Sequence, residues 1–234
     1  MTKSHSDTAP RPRTNYHHGD LARELVQASL DILGEVGAEG LSLREAARRV
    51  GVNHRAVYRH FADKRALLAA IAESGYRQLS ADMRAAVASI AAPPLRAGGG
   101  AARAAESRRA AATGPRERAT LLAIAEAYLR FALREPARFQ VMFGPRLNQD
   151  DAFPQLEVVI RETVDILARE LKLAGPSAGS AVRRDAGISL WSTMHGLSSL
   201  VLARRIPLKP ALVHSYATKV VGPVVDGLLH TLAG

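Results

Sequence analysis

The sequence predicts an all-α protein of about nine helices in two domains. Three observations carry this. Apolar residues recur with the period of one helical face, as in Leu43, Ala46, Ala47 and Val50, or in Leu156, Val159, Ile160, Ile166 and Leu167. No stretch sustains the period-two alternation of a half-buried strand, and no Asn-Gly pair marks a hairpin. Glycines, prolines and short capping residues stand at the ends of the periodic segments, where helices start and stop.

The chain of 234 residues is long enough for one or two domains with a sizeable core. Its formal net charge of +10 suits a polyanionic partner and equally suits plain solubility. Without cysteine it can form no disulfide, thiolate site or Cys-ligated metal site. No apolar run approaches the roughly 18 residues of a membrane span. The polar start MTKSHSDTAPRPRTNYHHGD lacks the apolar stretch of a signal peptide. A soluble, cytoplasmic protein with no membrane partner is expected.

Residues 1–17 read as a flexible tail, because Pro10, Arg11, Pro12 and Arg13 preclude a helix. Such a basic arm can reach into a minor groove or have no role at all. His17 and His18 are adjacent, so on a helix they point about 100° apart, which is poor geometry for a metal. Asp20 is placed to cap a first helix with the stripe Leu21, Leu25, Ala28, Ile32 and Val36, ended by Gly37.

Residues 41–60 read as a helix-turn-helix. Ser42 and Glu45 form the S-x-x-E of a capping box, so the next helix starts at Leu43. Gly51 ends it, since glycine takes the left-handed conformation without steric cost. Val52 is placed to plug the space under the turn, and Asn53 to cap a second helix over 54–61. There Val57 and Phe61 face inward together, which leaves His54, Arg55, Tyr58 and Arg59 outward. A helical hairpin with a solvated basic face satisfies the same spacing. In the DNA reading, His54, Arg55 and Tyr58 contact base edges, with Arg44 reaching from the preceding helix. Arg55 suits a guanine, whose O6 and N7 a guanidinium bonds together. Ser42, Asn53, His60 and Lys64 would hold phosphates.

Asp63 is placed to cap a fourth helix over 64–90, with Leu67, Ile71, Leu79 and Met83 inward and Gly75 as a weak point. Residues 92–115 are a low-complexity stretch rich in Ala, Arg and Gly, and read as a flexible loop. Helices are then expected over 116–134, from Pro136 into FQVMFGP, and over 155–173, 178–205 and 211–232. The stripe of the last is Val213, Ala217, Val220, Val224, Gly227 and Leu228, with a kink at Pro223. The resulting division is a DNA-binding domain over 18–78 and a second domain over 79–234.

From Tyr16 to Leu79 the chain resembles the N-terminal domain of the TetR/AcrR family of bacterial transcriptional regulators. YHHGDL, LSLREAARRVGV and VYRHFADKRALL carry the resemblance, with Tyr58, His60, Phe61 and Lys64 at the family's spacing. WSTMHG and MFGPRL resemble a subgroup whose C-terminal domain is named for a Trp-His-Gly signature, here Trp191, His195 and Gly196. Arg55 and Arg65 depart from residue types common in the family, so an operator cannot be copied from a relative.

The resemblance implies a homodimer built on the last two helices and a near-palindromic double-stranded operator. Small residues such as Gly187, Ser192 and Gly196 would permit close approach of the helices, although these faces could equally cover only the monomer's core. It also implies a pocket for a small-molecule effector, with Tyr128, Phe131, Phe139, Met142, Phe143, Trp191, Met194 and His195 as candidate walls. The same aromatic stripe can be plain core, and His195 a core histidine with one partner. A repressor released from DNA by its effector is the leading expectation. A sequence-indifferent DNA-coating protein and a helical enzyme are the alternatives. No Gly-rich phosphate loop, metal-ligand spacing or Ser/His/Asp set supports an enzyme, so neither catalytic residues nor a cofactor nor a metal is expected.

Overall fold

A computed structural model of the chain describes residues 18–91 and 113–234. The expectations for the tail, for 92–112 and for the Asp20 side chain lie outside the described residues. Nine helices and no strand occur among the described residues. They are α1 (His18–Gly40), α2 (Leu43–Val50), α3 (His54–Val57), α4 (Lys64–Ala91), α5 (Thr113–Arg134), α6 (Pro136–Met142), α7 (Pro154–Ala174) and α8 (Ser180–Leu202). The ninth, α9, spans 213–233 and widens into a π turn at Ala217–Val221. Two compact units meet in sequence between Leu67 and Leu68.

In the first unit α1 begins at His18, so Asp20 lies inside the helix and not at the cap expected for it, and the chain breaks its helical geometry at Gly37, with φ 74°. Val36 is not part of the buried stripe; it is 59% exposed, because the helix has finished packing by that point. Leu21, Leu25, Ile32, Leu41, Leu43, Ala46, Val57 and Phe61 form the buried interior. Each large side chain among them contributes about 1.5–3 kcal/mol by leaving water. A bidentate pair fixes the end of α1 to α2: Arg49 donates to both oxygens of Glu35, at 2.7 and 2.5 Å.

The ends of α2 follow from local chemistry. The Glu45 amide donates to Ser42 Oγ at 3.1 Å. The Glu45 carboxylate does not complete the capping box; it takes a fork of bonds from Arg48, at 2.8 and 2.7 Å. At the other end Gly51 sits at φ 75°. Its amide donates to Arg48 O at 3.2 Å, and Val52 donates to Ala47 O at 3.0 Å. These are the two bonds of a Schellman stop. Val50 and Val52 are only half-buried.

α3 is shorter than the 54–61 expected. Beyond Val57, Arg59 donates to Ala56 O and His60 to Val57 O, bonds to the third residue back that tighten the chain into turns, before Phe61 donates to Val57 O four residues back. The Ala66 amide donates to Asp63 Oδ1 at 2.7 Å, the cap predicted for α4.

In the second unit α4 packs with α5 to α9 around a core that includes Leu79, Leu121, Ile124, Leu129, Phe131, Leu171 and Leu190. Gly75 is no weak point. A Cβ there would lie 2.4 Å from Met142 Sδ and 2.9 Å from Arg138 Cγ, so the glycine lets α6 close on α4. Tyr76 donates to Met142 O across the same contact, at 3.0 Å. α5 begins at Thr113, within the expected loop; Pro115 is tolerated in the first turn, where no amide donor is needed.

The expected stripe of α9 is corrected by the π turn. The Gly222 amide donates to Ala217 O, five residues back, just before Pro223. The wider turn accommodates the proline, which has no donor of its own. It also shifts the buried face to Val213, Ala217, Val221, Val225 and Leu232. Val220 is left 43% exposed and Gly227 is exposed, while Val224 and Leu228 are half-buried.

Candidate functional site

Two sites can be built from these elements. The first is the outer surface of α2 and α3. Arg44 stands in the first turn of α2, and His54, Arg55, Tyr58 and Arg59 follow Asn53; all five side chains are exposed. Tyr58 is 57% exposed, unusual for a large ring that has no role in the core. Asn53 Oδ1 accepts from the Arg55 amide at 2.9 Å, which leaves its side-chain NH2 free to donate outward. Ser42 Oγ likewise accepts within the cap and keeps its own proton. His60 is half-buried with its ring 6.5 Å from that of Phe61, and Lys64 is half-buried in the first turn of α4. The neighbouring Arg48 and Arg49 are spent on Glu45 and Glu35. Those pairs hold both carboxyls below the usual glutamate range, through the arginine hydrogen bonds.

The second site is a cavity of about 540 Å³ in the second unit. Of the pocket candidates read from the sequence, Tyr128, Phe143, Trp191 and Met194 line it. Phe139, Phe143 and His195 border a smaller pocket of about 300 Å³. Phe131 and Met142 border neither. Phe131 is wholly buried on the core face of α5, and Met142 fills the space over Gly75. Sequence reading missed Tyr76, Leu79 and Met83 of α4 and Thr163, Val164 and Leu167 of α7. Val164 and Ile188 in the same lining are 58% and 52% exposed, large apolar side chains with no cover.

The aromatic side chains form one cluster. His195 stacks on Phe139, with centroids 5.4 Å apart and planes 21° from parallel. Trp191, one turn earlier, lies 6.2 Å from the same ring. Tyr128 Oη and His195 Nδ1 are 3.0 Å apart. Burial lowers the His195 pKa, favouring the neutral ring. Burial raises the Tyr128 pKa, against a smaller lowering by a bond from Trp191. Tyr76 is pushed up to about 12, by burial first and by the Glu157 charge second. Both phenols therefore stay protonated at neutral pH. Ser80 and Thr163 pair at 2.7 Å, and Thr163 Oγ1 donates to Val159 O at 2.8 Å, so the cavity's hydroxyls are largely satisfied by the protein.

Residues 25–71 match the bacterial regulatory proteins of the tetR family. Residues 121–221 match the tetracyclin repressor-like C-terminal domain. Two separate stretches of the chain thus match tetR-type domain models, one over the reading helices and one over most of the second unit. Over 50 residues it is 52% identical to the tetracycline repressor protein class A from transposon 1721 of Escherichia coli; the stretch covers 21% of this chain and 23% of the repressor. A protein of unknown function from Rhodococcus sp. RHA1 superposes with a TM-score of 0.69 and 27% identity, over 92% of this chain and 98% of that one. A TetR variant from Acinetobacter baumannii AYE in complex with minocycline shares the fold, with a TM-score of 0.56 and 18% identity over 90% of this chain and 97% of its own. Among the described residues no helix is long and apolar enough to cross a membrane, and no cluster of His, Asp and Glu could hold a metal ion.

Proposed function

We propose that this tetR-type chain is a sequence-specific DNA-binding transcriptional repressor that leaves a near-palindromic operator when a small molecule enters the 540 Å³ cavity. The observation that carries this reading is a capped helix-turn-helix whose outward side chains are uncommitted. Arg44 and Arg55 make no ion pair among the described residues, while Arg48 and Arg49 on the same unit are both paired. Base contacts are assigned to Arg44, His54, Arg55 and Tyr58, and phosphate contacts to Ser42, Asn53, His60 and Lys64. The cytoplasm, where the operator would be, is the proposed location, and no catalysis is assigned.

A homodimer presents two such helices. Its support is a pair of faces that the monomer leaves exposed or only half-covered: Ser189, Ser192, Gly196 and Leu200 on α8, and Val220, Val224, Gly227 and Leu228 on α9. A Cβ at Gly196 or Gly227 would meet nothing within 4 Å, so neither glycine is needed by the monomer's own packing. Trp191, His195 and Gly196 support placement in the Trp-His-Gly subgroup, with the first two rings beside the cavities and the glycine on the open face.

α4 starts at Lys64 and carries Tyr76, Leu79 and Met83 to the cavity wall, so a ligand touching these side chains acts on the helix that follows the reading unit. The shift in DNA affinity equals the ligand's preference for one of two states of the protein. Trp191→Ala tests this. Trp191 is 45% exposed, so its loss should leave folding and operator affinity within about twofold, since surface substitutions typically change stability by less than about 0.5 kcal/mol. A compound chosen because it releases the wild-type protein should fail to release the variant in a mobility-shift titration. Release at the wild-type concentration would remove Trp191 from the ligand site.

A further inference from the structure

The lining of the larger cavity is unequal in charge. It includes Lys172, Arg183 and Arg184 and not one carboxylate. All three cations come from one region, the last turns of α7 and the first turns of α8. Arg184, Ile188 and Trp191 follow at the spacing of one helical face, so a cationic end leads directly onto apolar wall. The far end is Tyr76, Leu79, Met83, Tyr128, Phe143 and Met194, whose hydroxyls are bonded to Met142 O and His195. A ligand body there meets carbon, and a polar group placed there would find few partners.

The cations differ in what they have left to offer. Arg183 is committed to the α7–α8 connection, donating to Ala178 O and, at 3.2 Å, to Gly175 O. Arg184 has only its neighbour Asp185, at 3.1 Å, and both side chains are more than half exposed. Such a pair contributes little and can be exchanged for a better acceptor. Lys172 is exposed and has no bonded partner among the described residues. Two donors thus stand at one end of an apolar chamber whose lining holds no carboxylate, one of them in an exposed pair with Asp185 that a better acceptor can replace.

We propose that the cavity takes an anionic amphiphile: a drug-sized apolar body with one carboxylate- or phosphate-like head held by Lys172 and Arg184. This rests on the cavity being the effector site and adds the chemical class of the effector. A cationic or zwitterionic ligand would place positive charge against three like charges in the same wall, and a neutral one would leave the two donors unused.

The chain contains a single tryptophan, and it lies in the cavity wall, so Trp191 emission reports binding there. The test titrates the full chain with decanoate, 1-decanol and decyltrimethylammonium, which share an apolar body and differ in head charge. Decanoate, kept below its micellar concentration, should bind at least tenfold more tightly than 1-decanol, with the ammonium weakest. Lys172→Glu combined with Arg184→Glu should erase the preference for decanoate and leave 1-decanol affinity unchanged, while Lys172→Arg keeps it. If 1-decanol or the ammonium matches decanoate on the wild-type chain, the anionic class is overturned and the cavity as a binding site stands. If no probe moves Trp191 emission, the cavity itself is not a ligand site and both readings fall.

Discussion

Phe131→Ala should lower the free energy of unfolding by about 3–5 kcal/mol, the cost of deleting a large aromatic side chain from a close-packed core. Phe131 is fully buried in the last turn of α5, with the Arg134 guanidinium 5.9 Å from its ring centroid. Removing it deletes apolar contact and leaves a void that its neighbours in the core can only partly fill. Against a typical total of about 5–15 kcal/mol, that is a large share of the stability. Urea unfolding followed by far-ultraviolet circular dichroism measures it, and the midpoint should fall with little change in slope. A loss below about 1 kcal/mol would mean that Phe131 faces a space able to collapse around the gap. The contrast with Trp191, nearly half exposed on α8, is the physical difference between a wall of the core and a wall of the cavity.

Arg55→Ala should cost about 1–3 kcal/mol on the cognate operator, roughly a 5- to 150-fold loss of affinity, and relax preference at a single base position. The backbone of Arg55 is fixed by the bond from its amide to Asn53 Oδ1, so the guanidinium starts from a set position at the beginning of α3. A guanidinium placed on a guanine edge forms two parallel bonds, which no other base offers in that pattern. Lys64→Ala should act differently. A phosphate contact carries no sequence information, so all duplexes should weaken together and the log K against log[salt] slope should flatten by about one unit. Salt titrations of both variants on cognate and scrambled duplexes separate the two roles. Equal losses for Arg55→Ala on both duplexes would remove it from base reading.

Where local chemistry decides a boundary, the sequence is sufficient. Ser42 and Gly51 delimit α2 because a side-chain cap and a left-handed glycine act within a few residues of themselves. Asp63 places the start of α4 for the same reason. α3 was read too long because Val57 and Phe61 do share a buried side, but the backbone between them closes through tighter turns, which apolar spacing does not distinguish from a helix. The register of α9 was lost at the π turn before Pro223, since a fixed 3.6-residue period cannot anticipate a wider turn. The residues that a fixed period places in the core, Val220, Val224, Gly227 and Leu228, are the ones the monomer leaves at least partly open. Tyr128 and Phe131 lie three apart on α5, and spacing alone made both candidates for the pocket. Only the packing of α4, α7 and α8 against α5 determines that one ring borders the cavity and the other does not. Gly75, read as a break in α4, is explained only by Met142, 67 residues later in the chain.

Binding-site selection from a pool of random duplexes, with the full wild-type chain, tests the DNA-reading assignment most directly. Two α3 segments in a two-fold dimer should enrich a near-palindrome whose half-sites are centred about 34–36 Å, or one helical turn, apart. Each half-site should contain a guanine whose enrichment disappears when Arg55→Ala is carried through the same selection. Enrichment of no sequence, with binding that weakens equally on all duplexes as salt rises, would contradict the assignment and leave a protein that holds DNA by its phosphates alone.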